Sequence, residues 1–259
     1  MQEARIPAER KSIANRLICI FLVCISYENI RLYILQIYSI CGKKCKFAPD
    51  KIKAMKVLLI NGSPRHGGNT ARALSEMVKV FEAEGIESEI VQTGHLAIPG
   101  CRACNACKKA GRCFTDDIVN EVAAKFKDAD ALVLGSPVYY ASANGTMISF
   151  LDRLFVSTSF DKTMKVGASV VVARRAGTSS TFDELNKYFT ICGMPVASGS
   201  YWNNVFGGAP GEAEGDAEGL QTVRVVARNM AFLVKSIALG KEKYGLPEKE
   251  EKIKTNFIR

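Results

Sequence analysis

Histidine is scarce in this chain of 259 residues, which contains only His66 and His95. Both are isolated in the sequence and no other acid or base stands out, so we expect no catalytic side chain and interpret both as exposed loop residues. Long apolar runs are also missing. The run at 17–27 is too short to span a bilayer, and Glu28 follows it directly, so we expect no stable membrane insertion.

An even spread of positive charge is absent as well. The net charge is +9, but residues 1–54 hold ten Lys and Arg against four Asp and Glu, which leaves only +3 for the remainder. A nearly balanced remainder gives no indication of nucleic-acid binding. The chain also lacks a convincing export signal, because no small-x-small cleavage site follows the apolar run. Nine cysteines in such a chain fit a reducing cytoplasm and metal chemistry better than a disulfide scaffold.

Residues 1–54 differ in character from the rest of the sequence. We expect a poorly ordered N-terminal extension or a spurious leader, with translation starting at Met55, because a complete domain opens there. An amphipathic surface helix is the alternative interpretation of the apolar run. The remaining segment, 55–259, is then one domain.

From Met55 onward, apolar runs typical of buried parallel strands alternate with helix-periodic segments. The predicted strands are 57–60, 88–91, 131–134, 166–173 and a short one near 195–198. Asp116 or Asp117 is expected to cap one of the helices between them. This alternation predicts an α/β fold, a doubly wound five-stranded parallel sheet with helices on both faces.

Four cysteines at 101–113 follow the spacing C-x2-C-x2-C-x5-C: Cys101, Cys104, Cys107 and Cys113. Three of them at intervals of three residues can surround one centre, and Gly111 permits a turn that brings in the fourth. Thiolates bind iron–sulfur clusters and zinc, and short C-x2-C-x2-C steps are typical of [4Fe–4S] sites. Redox-active thiols, a zinc site and a loop without metal are the alternatives.

The segment 61–70, Asn-Gly-Ser-Pro-Arg-His-Gly-Gly-Asn-Thr, connects the first strand to the first helix. Backbone amides at a helix N-terminus, together with Ser63, Asn69 and Thr70, predict an anion site, to which Arg65 adds positive charge. The segment is neither a Walker loop nor a G-x-G-x-x-G fingerprint, so a monophosphate fits it better than a triphosphate or a dinucleotide. A plain strand-to-helix turn is the alternative.

Two further loops follow strand ends, where ligands bind in open α/β sheets. In 136–146, Pro137 stiffens the loop, and Val138, Tyr139 and Tyr140 offer an apolar and aromatic wall to a planar ring; ordinary packing of the tyrosines is the alternative. In 174–180, a pair of arginines is suited to the phosphate of a second ligand, or forms a solvated basic patch.

These motifs, in this order, resemble a known family. Asn-Gly-Ser-Pro-Arg…Gly-Asn-Thr, Gly-Ser-Pro-Val-Tyr-Tyr and Phe-Leu-Asp-Arg (150–153) are similar to the NAD(P)H-dependent FMN reductases of the flavodoxin-like class. With the cysteine spacing added, the sequence resembles the iron–sulfur flavoproteins within that family. The resemblance covers about 55–259. Many proteins of this fold lack the cysteines, so the cluster depends on their spacing.

The resemblance implies two bound groups. The phosphate of FMN is expected at Ser63, Arg65, Gly68, Asn69 and Thr70. The isoalloxazine ring is expected along the second loop, at Pro137, Val138, Tyr139, Tyr140, Ser142, Asn144 and Gly145. The metal ligands are expected to be the four cysteines, Cys101, Cys104, Cys107 and Cys113, holding a [4Fe–4S] cluster.

The resemblance also implies an oxidoreductase in which NAD(P)H or ferredoxin delivers electrons through FMN, and then the cluster, to an acceptor. A homodimer or homotetramer is expected, with ferredoxin or another redox protein as a further partner. Two other functions stay open: a cluster-free NAD(P)H reductase of quinones or flavins, and a flavodoxin-like carrier without enzymatic turnover.

Overall fold

The computed structural model describes residues 54–251 and 253–257. The predicted N-terminal extension, with its apolar run at 17–27, lies outside the described residues apart from Ala54. Among the described residues, no helix has both the length and the apolar character needed to cross a bilayer.

Strands and helices alternate along the described chain, as the sequence predicts. The strands are β1 (Lys56–Asn61), β2 (Glu87–Gln92), β3 (Ala131–Tyr139), β4 (Ser142–Ala143), β5 (Val166–Ala173) and β6 (Asn204–Phe206). The helices are α1 (Asn69–Ala83), α2 (Cys107–Ala110), α3 (Ile118–Asp128), α4 (Gly145–Ser157), α5 (Thr178–Thr190) and α6 (Ala217–Tyr244). A short 3-10 helix (Glu212–Gly215) precedes α6.

Five parallel strands form the sheet in the order β2-β1-β3-β5-β6. Numbered without β4, this is the flavodoxin-like order 2-1-3-4-5 of doubly wound sheets. The predicted fold class is therefore confirmed. The two-residue strand β4 adds an antiparallel pair to the end of β3, with Val138 opposite Ala143 and Tyr139 opposite Ser142.

The position of the fifth strand was predicted wrongly. Near Pro195 the chain makes only an isolated bridge, between Val196 and Gly167 of β5. Pro195 has no N–H to donate, so the ladder does not extend there. The edge strand is instead β6, which pairs with 171–173 near the carboxyl end of β5.

Helices cover both faces of the sheet, and each face has its own apolar core. On one face α1 and α6 pack with residues such as Leu59 and Val133 of the central strands. On the other face α3, α4 and α5 pack with alternate residues of the same strands, such as Ile60 and Leu132. Every residue of β5 is buried, as a strand covered on both faces requires.

A buried carboxylate ties α1 to α6. Glu76 accepts hydrogen bonds from Arg72 Nη1 (2.7 Å), Arg224 Nη1 (2.7 Å) and Lys79 Nζ (3.2 Å). Burial opposes its ionisation, but the hydrogen bonds from Arg72 and Arg224 outweigh burial and lower the pKa of Glu76 to about 2. The pairing therefore fixes the two helices of one layer to each other.

Candidate functional site

Three loops with the predicted site residues leave the carboxyl ends of β1, β3 and β5, which are neighbours in the sheet. The order of the strands reverses at β1 and β3, so this edge is the topological switch point where such folds bind ligands. Direct hydrogen bonds join the loops. Asn144 Nδ2 in the second loop donates to Gly62 O in the first (2.8 Å), and Ser180 Oγ at the end of the third donates to Ala141 O in the second (2.7 Å).

The first loop is held from inside by side chains at its base. Asn61 Oδ1 accepts from Ser63 N (3.0 Å), Ser63 Oγ accepts from Arg65 N (3.2 Å), and Gln92 Nε2 donates to Ser63 O. Gly68 adopts an extended conformation before α1, and no side chain caps that helix. The first amides of α1 are therefore available to a ligand, because they have no partner within the helix.

The structure gives Asn69 a role that the sequence pattern did not show. Its amide spans a turn that precedes α6: Nδ2 donates to Ala209 O (2.9 Å), while Oδ1 accepts from Gly211 N (3.1 Å) and Ala213 N (3.3 Å). Arg65 Nη1 donates to Gly208 O in the same turn (3.3 Å). Thr70, which follows Asn69, is buried in α1.

The two histidines, isolated in the sequence, meet in the structure. The ring centroids of His66 and His95 lie 4.6 Å apart, with the rings tilted by 52°. His66 belongs to the first loop, and His95 follows β2 beside it. Both are exposed, as expected, but they form a pair next to the first loop.

Gly94, next to His95, supports the first loop by close backbone contact. A Cβ atom at position 94 would lie 2.1 Å from Gly62 O and 2.4 Å from the carbonyl carbon of Ser63. Gly94 N also donates to Asn61 O (3.2 Å). Only glycine fits here without moving the backbone of the loop.

The second loop is a tight hairpin between β3 and β4. Tyr140 and Ala141 connect the paired residues Tyr139 and Ser142, and both adopt positive φ values, +52° and +60°. Two central residues with positive φ are typical of a type I′ turn. Tyr140 is fully exposed at the tip, Tyr139 is 46% exposed, and Val138 and Pro137 are half-buried.

Two polar residues of this loop, Ser142 and Asn144, form hydrogen bonds that fix its shape. Ser142 Oγ donates to Glu184 of α5 (2.9 Å), and the same carboxylate accepts from Ala143 N (2.8 Å). Asn144 caps α4 by accepting from Thr146 N (2.9 Å). Gly145, the first residue of α4, is exposed.

The third loop and the hairpin border an open cleft of about 530 Å³. Arg174 and Arg175 line it together with Val138, Tyr140 and the backbone up to Gly177. Gly177 has φ +87°, and a Cβ atom there would lie 2.8 Å from the Cα of Ala141. The cleft combines an apolar wall with two guanidinium groups.

The four cysteines line a second cavity, of about 290 Å³. Ala103 and Asn105 adopt left-handed conformations, with φ of +50° and +57°, which curl the chain between the first three cysteines. Gly111 (φ +68°) ends the short helix α2 and makes the predicted turn toward Cys113. Among the described residues, no three Cys, His, Asp or Glu side chains are gathered around a common point as a metal-ion site. The thiols share a cavity wall.

A buried arginine reaches this cavity from α4. Arg153 is 2% exposed and donates to Cys113 Sγ from Nη2 (3.2 Å) and Nε (3.4 Å). The same guanidinium pairs with both oxygens of Asp117, at 2.6 and 2.9 Å. Burial opposes the charge, but the hydrogen bonds to Asp117 and Cys113 offset it and raise the pKa of Arg153.

Asn120 of α3 holds the segment around Cys113, and Asp117 begins that helix. Asn120 Oδ1 accepts from Cys113 N (3.0 Å), and Asn120 Nδ2 donates to Cys113 O (3.2 Å). Asp117 caps α3 by accepting from Val119 N (3.1 Å), which confirms one of the two predicted caps. Asp116 instead pairs with Arg112 at the surface.

Ser157, one turn beyond Arg153 on α4, lines the same cavity. It is 4% exposed, and its hydroxyl has no hydrogen-bond partner among the described residues. Sequence reasoning assigned no role to Arg153 or Ser157. A signal for Arg153 does exist, because it falls on the buried face of α4 beside Phe150 and Leu154, where a charge requires a partner.

Fold and site together define a class: a flavodoxin-like α/β protein with an open cleft at the switch point and a separate cysteine-lined cavity. Residues 55–208 match the family of NADPH-dependent FMN reductases. The chain belongs to this family.

Two curated relatives are similar to the chain over most of its length. The chain is 35% identical over 191 residues to an iron–sulfur flavoprotein of Methanocaldococcus jannaschii, covering 71% of this chain and 99% of that protein. It is 30% identical to an iron–sulfur flavoprotein of Methanosarcina thermophila, covering 73% and 100%.

Solved structures agree on the fold. RosB, with bound 8-demethyl-8-formylriboflavin-5′-phosphate, superposes with a TM-score of 0.55 at 19% identity, covering 80% of this chain and 94% of RosB. A flavone reductase gives a TM-score of 0.53 at 20% identity, covering 71% and 64%. At these identities the likeness concerns the fold.

Proposed function

We propose that the chain is an FMN-dependent oxidoreductase that passes electrons from NAD(P)H or ferredoxin through FMN and a [4Fe–4S] cluster to an acceptor. The observation that carries this proposal is the cysteine cavity. Four thiols and a buried guanidinium line it, in a chain that belongs to an FMN reductase family. The curated relatives that share most of the chain's length are named iron–sulfur flavoproteins.

The three loops would hold FMN. The amides of Gly68, Asn69 and Thr70 at the start of α1 would bind the phosphate, with Ser63 and Arg65 beside them. The Asn69 side chain is engaged by the turn at 209–213, so its contribution would come from its backbone amide.

The ring would lie in the cleft between the second and third loops. Pro137, Val138, Tyr139 and Tyr140 would form its wall. Ser142, Asn144 and Gly145 would shape the hairpin and the start of α4 behind it. Arg174 and Arg175 bring positive charge to this cleft. Such charge near a flavin favours its more negative, reduced form.

The four cysteines fit an iron–sulfur cluster by their chemistry and common cavity. All four are free thiols in the structure, and no carboxylate of the described residues lines the cavity. Cys101, Cys104, Cys107 and Cys113 would hold the cluster. When bound, FMN supplies two-electron chemistry and the cluster supplies one-electron chemistry. The protein's own residues bind and orient these groups, and no side-chain acid or base is assigned a step.

The surface around the cysteines supports exchange with a redox protein. The segment 101–113 carries Arg102, Lys108, Lys109 and Arg112, all exposed, and no Asp or Glu. A basic rim favours an acidic partner such as ferredoxin. We further propose a homodimer or homotetramer, acting in a reducing cytoplasm where these thiols stay reduced.

The proposal is tested by anaerobic purification followed by analysis of iron, sulfide and FMN. We expect about four irons per FMN and a broad brown absorbance beneath the flavin bands. Cys104→Ser, or the same change at any other of the four cysteines, should lower the iron content and leave FMN in place. Iron-free yellow protein would contradict the cluster, and protein that binds no FMN would contradict the whole proposal.

One observation favours a second candidate, a cluster-free NAD(P)H reductase of quinones or flavins. The described thiols do not converge on a common point. Steady-state oxidation of NADH or NADPH with small acceptors by iron-free protein would support this candidate. Turnover only when coupled to a partner protein would instead indicate an electron carrier.

A further inference from the structure

The helix α4 presents two hydrogen-bond donors to the cysteine cavity that the proposed function does not explain. Arg153 and Ser157 lie four residues apart, so they share one face of the helix. Both are buried, and both line the cavity with all four cysteines. Two independent features mark this face: a guanidinium directed at sulfur, and a hydroxyl that has no hydrogen-bond partner in the described part of the chain.

Charge pairing alone does not account for the position of Arg153. Asp117 neutralises it through two hydrogen bonds, and the carbonyl of Thr115 accepts a third (3.1 Å). The guanidinium nevertheless directs two of its N–H groups at Cys113 Sγ. A neutral thiol is a weak acceptor, whereas a thiolate bound to metal is a strong one. The donors therefore suit the metal-bound form of Cys113.

The hydroxyl of Ser157 gives the second argument. A buried polar group without a partner loses its hydrogen bonds to water and gains none in return, so such groups are rare in native proteins. Ser157 faces a cavity lined by the four cysteines, by apolar side chains and by the polar residues Arg102, Asn105, Thr115 and Arg153. Among the described residues, none of these groups is hydrogen-bonded to the Ser157 hydroxyl. A ligand with sulfur atoms would accept a hydrogen bond from the Ser157 hydroxyl. The neighbouring residue, Val156, has an apolar side chain, and its backbone carbonyl accepts a hydrogen bond from Cys107 Sγ (3.9 Å).

We infer that Arg153 and Ser157 are positioning residues that donate hydrogen bonds to the sulfur atoms of the group held by the four cysteines and thereby raise its reduction potential. The inference rests on the proposed function, because it requires that group to be an iron–sulfur cluster. Donors aimed at sulfur stabilise the redox state with more negative charge, which is the reduced one.

The test compares Ser157→Ala with Ser169→Ala in the anaerobically purified full chain. Ser169 is also a fully buried serine, but it lies on β5 and its hydroxyl donates to Asn186 Oδ1 (2.9 Å). The readouts are the midpoint potentials of cluster and flavin in a redox titration, and the denaturant midpoint of the iron-free protein.

Opposite patterns are expected for the two variants. Ser157→Ala should raise the oxidised-to-reduced ratio of the cluster about tenfold at a given potential. For a one-electron couple this corresponds to lowering the midpoint potential of the cluster by about 59 mV. Its flavin potential should not move, and its iron-free form should be at least as stable as the original. Ser169→Ala should lower stability and leave both potentials unchanged.

Arg153→Lys provides an independent variant, because lysine keeps the charge but loses the planar fork of donors. We expect its cluster potential to fall by at least as much as that of Ser157→Ala. If clusters in both variants titrate at the original potential, the inference is overturned while the proposed function stands. If the original protein contains no iron or sulfide, the proposed cluster and this inference fail together.

Discussion

Gly94 offers the sharpest test of how the first loop is shaped. It is not part of that loop in sequence, yet its backbone packs directly against Gly62 and Ser63. In Gly94→Ala the new methyl group would lie 2.1 Å from Gly62 O, where ordinary contact requires more than 3.0 Å. The neighbouring atoms are backbone, so no flexible side chain can move aside. The loop itself must shift by about 1 Å, given normal contact distances.

Two consequences of that shift can be given magnitudes. Overpacking of a tight site costs about 1–3 kcal/mol of folding free energy. If the loop binds FMN as proposed, its displacement would also misalign it with the FMN phosphate. Loss of one hydrogen bond to a charged group costs about 1.5–3 kcal/mol of binding free energy. The dissociation constant for FMN should then rise about 10- to 150-fold, and further if a second bond is lost.

The assay is titration of the apoprotein with FMN, followed by the change in flavin fluorescence, together with denaturant unfolding of the apoprotein. The matched control is Gly240→Ala, because a Cβ atom at position 240 meets no atom within 4 Å. That change lies inside α6 and should stabilise the helix by about 0.5–1 kcal/mol with FMN affinity unchanged. If Gly94→Ala binds FMN as tightly as Gly240→Ala, the close contact does not shape the loop.

Three further predictions concern other parts of the fold. The pKa of Glu76 lies at about 2 instead of 4.5, so its ion pairs contribute fully above pH 4.5 and are lost as pH falls toward 2. Acid unfolding should show this loss of about 3 kcal/mol, and it should be absent in Glu76→Gln. Gly177→Ala, strained at φ +87°, should lower the unfolding free energy by about 1–3 kcal/mol and weaken FMN binding in the same titration. Asn120→Ala should lower the free energy of unfolding by about 2 kcal/mol, because its hydrogen bonds to the Cys113 backbone are lost. Iron analysis of this variant should show less metal at unchanged FMN content.

Most of the fold followed from local pattern. Apolar strands and amphipathic helices are local sequence patterns. The loops that follow parallel strands lie at one edge of the sheet, whatever the order of the strands. The fifth strand was misplaced because its ladder depends on a distant partner: β6 is three residues long and pairs only with the end of β5. A short edge strand carries little pattern of its own.

The candidate site was predicted less completely than the fold. The three loops meet as expected, but whether their predicted residues bind FMN stays a prediction. The partners of Asn69 lie about 140 residues further along the chain, at 209–213, and no local pattern indicates such a contact. Arg153 was visible as a charge on an apolar helix face, yet only the structure shows that it faces Cys113. Ser157 carried no signal at all, because a serine on a helix has no preferred role.

The helix α4 links the two candidate sites and also separates them. At its start Asn144 binds the first loop through Gly62 O, and near its end Arg153 and Ser157 line the cysteine cavity. These residues lie 9 and 13 positions after Asn144, which corresponds to about 14–20 Å along the axis. No described residue lines both the cleft and the cavity. FMN and the cluster should therefore load independently, so Gly94→Ala should lose FMN while keeping iron, and Asn120→Ala should do the reverse.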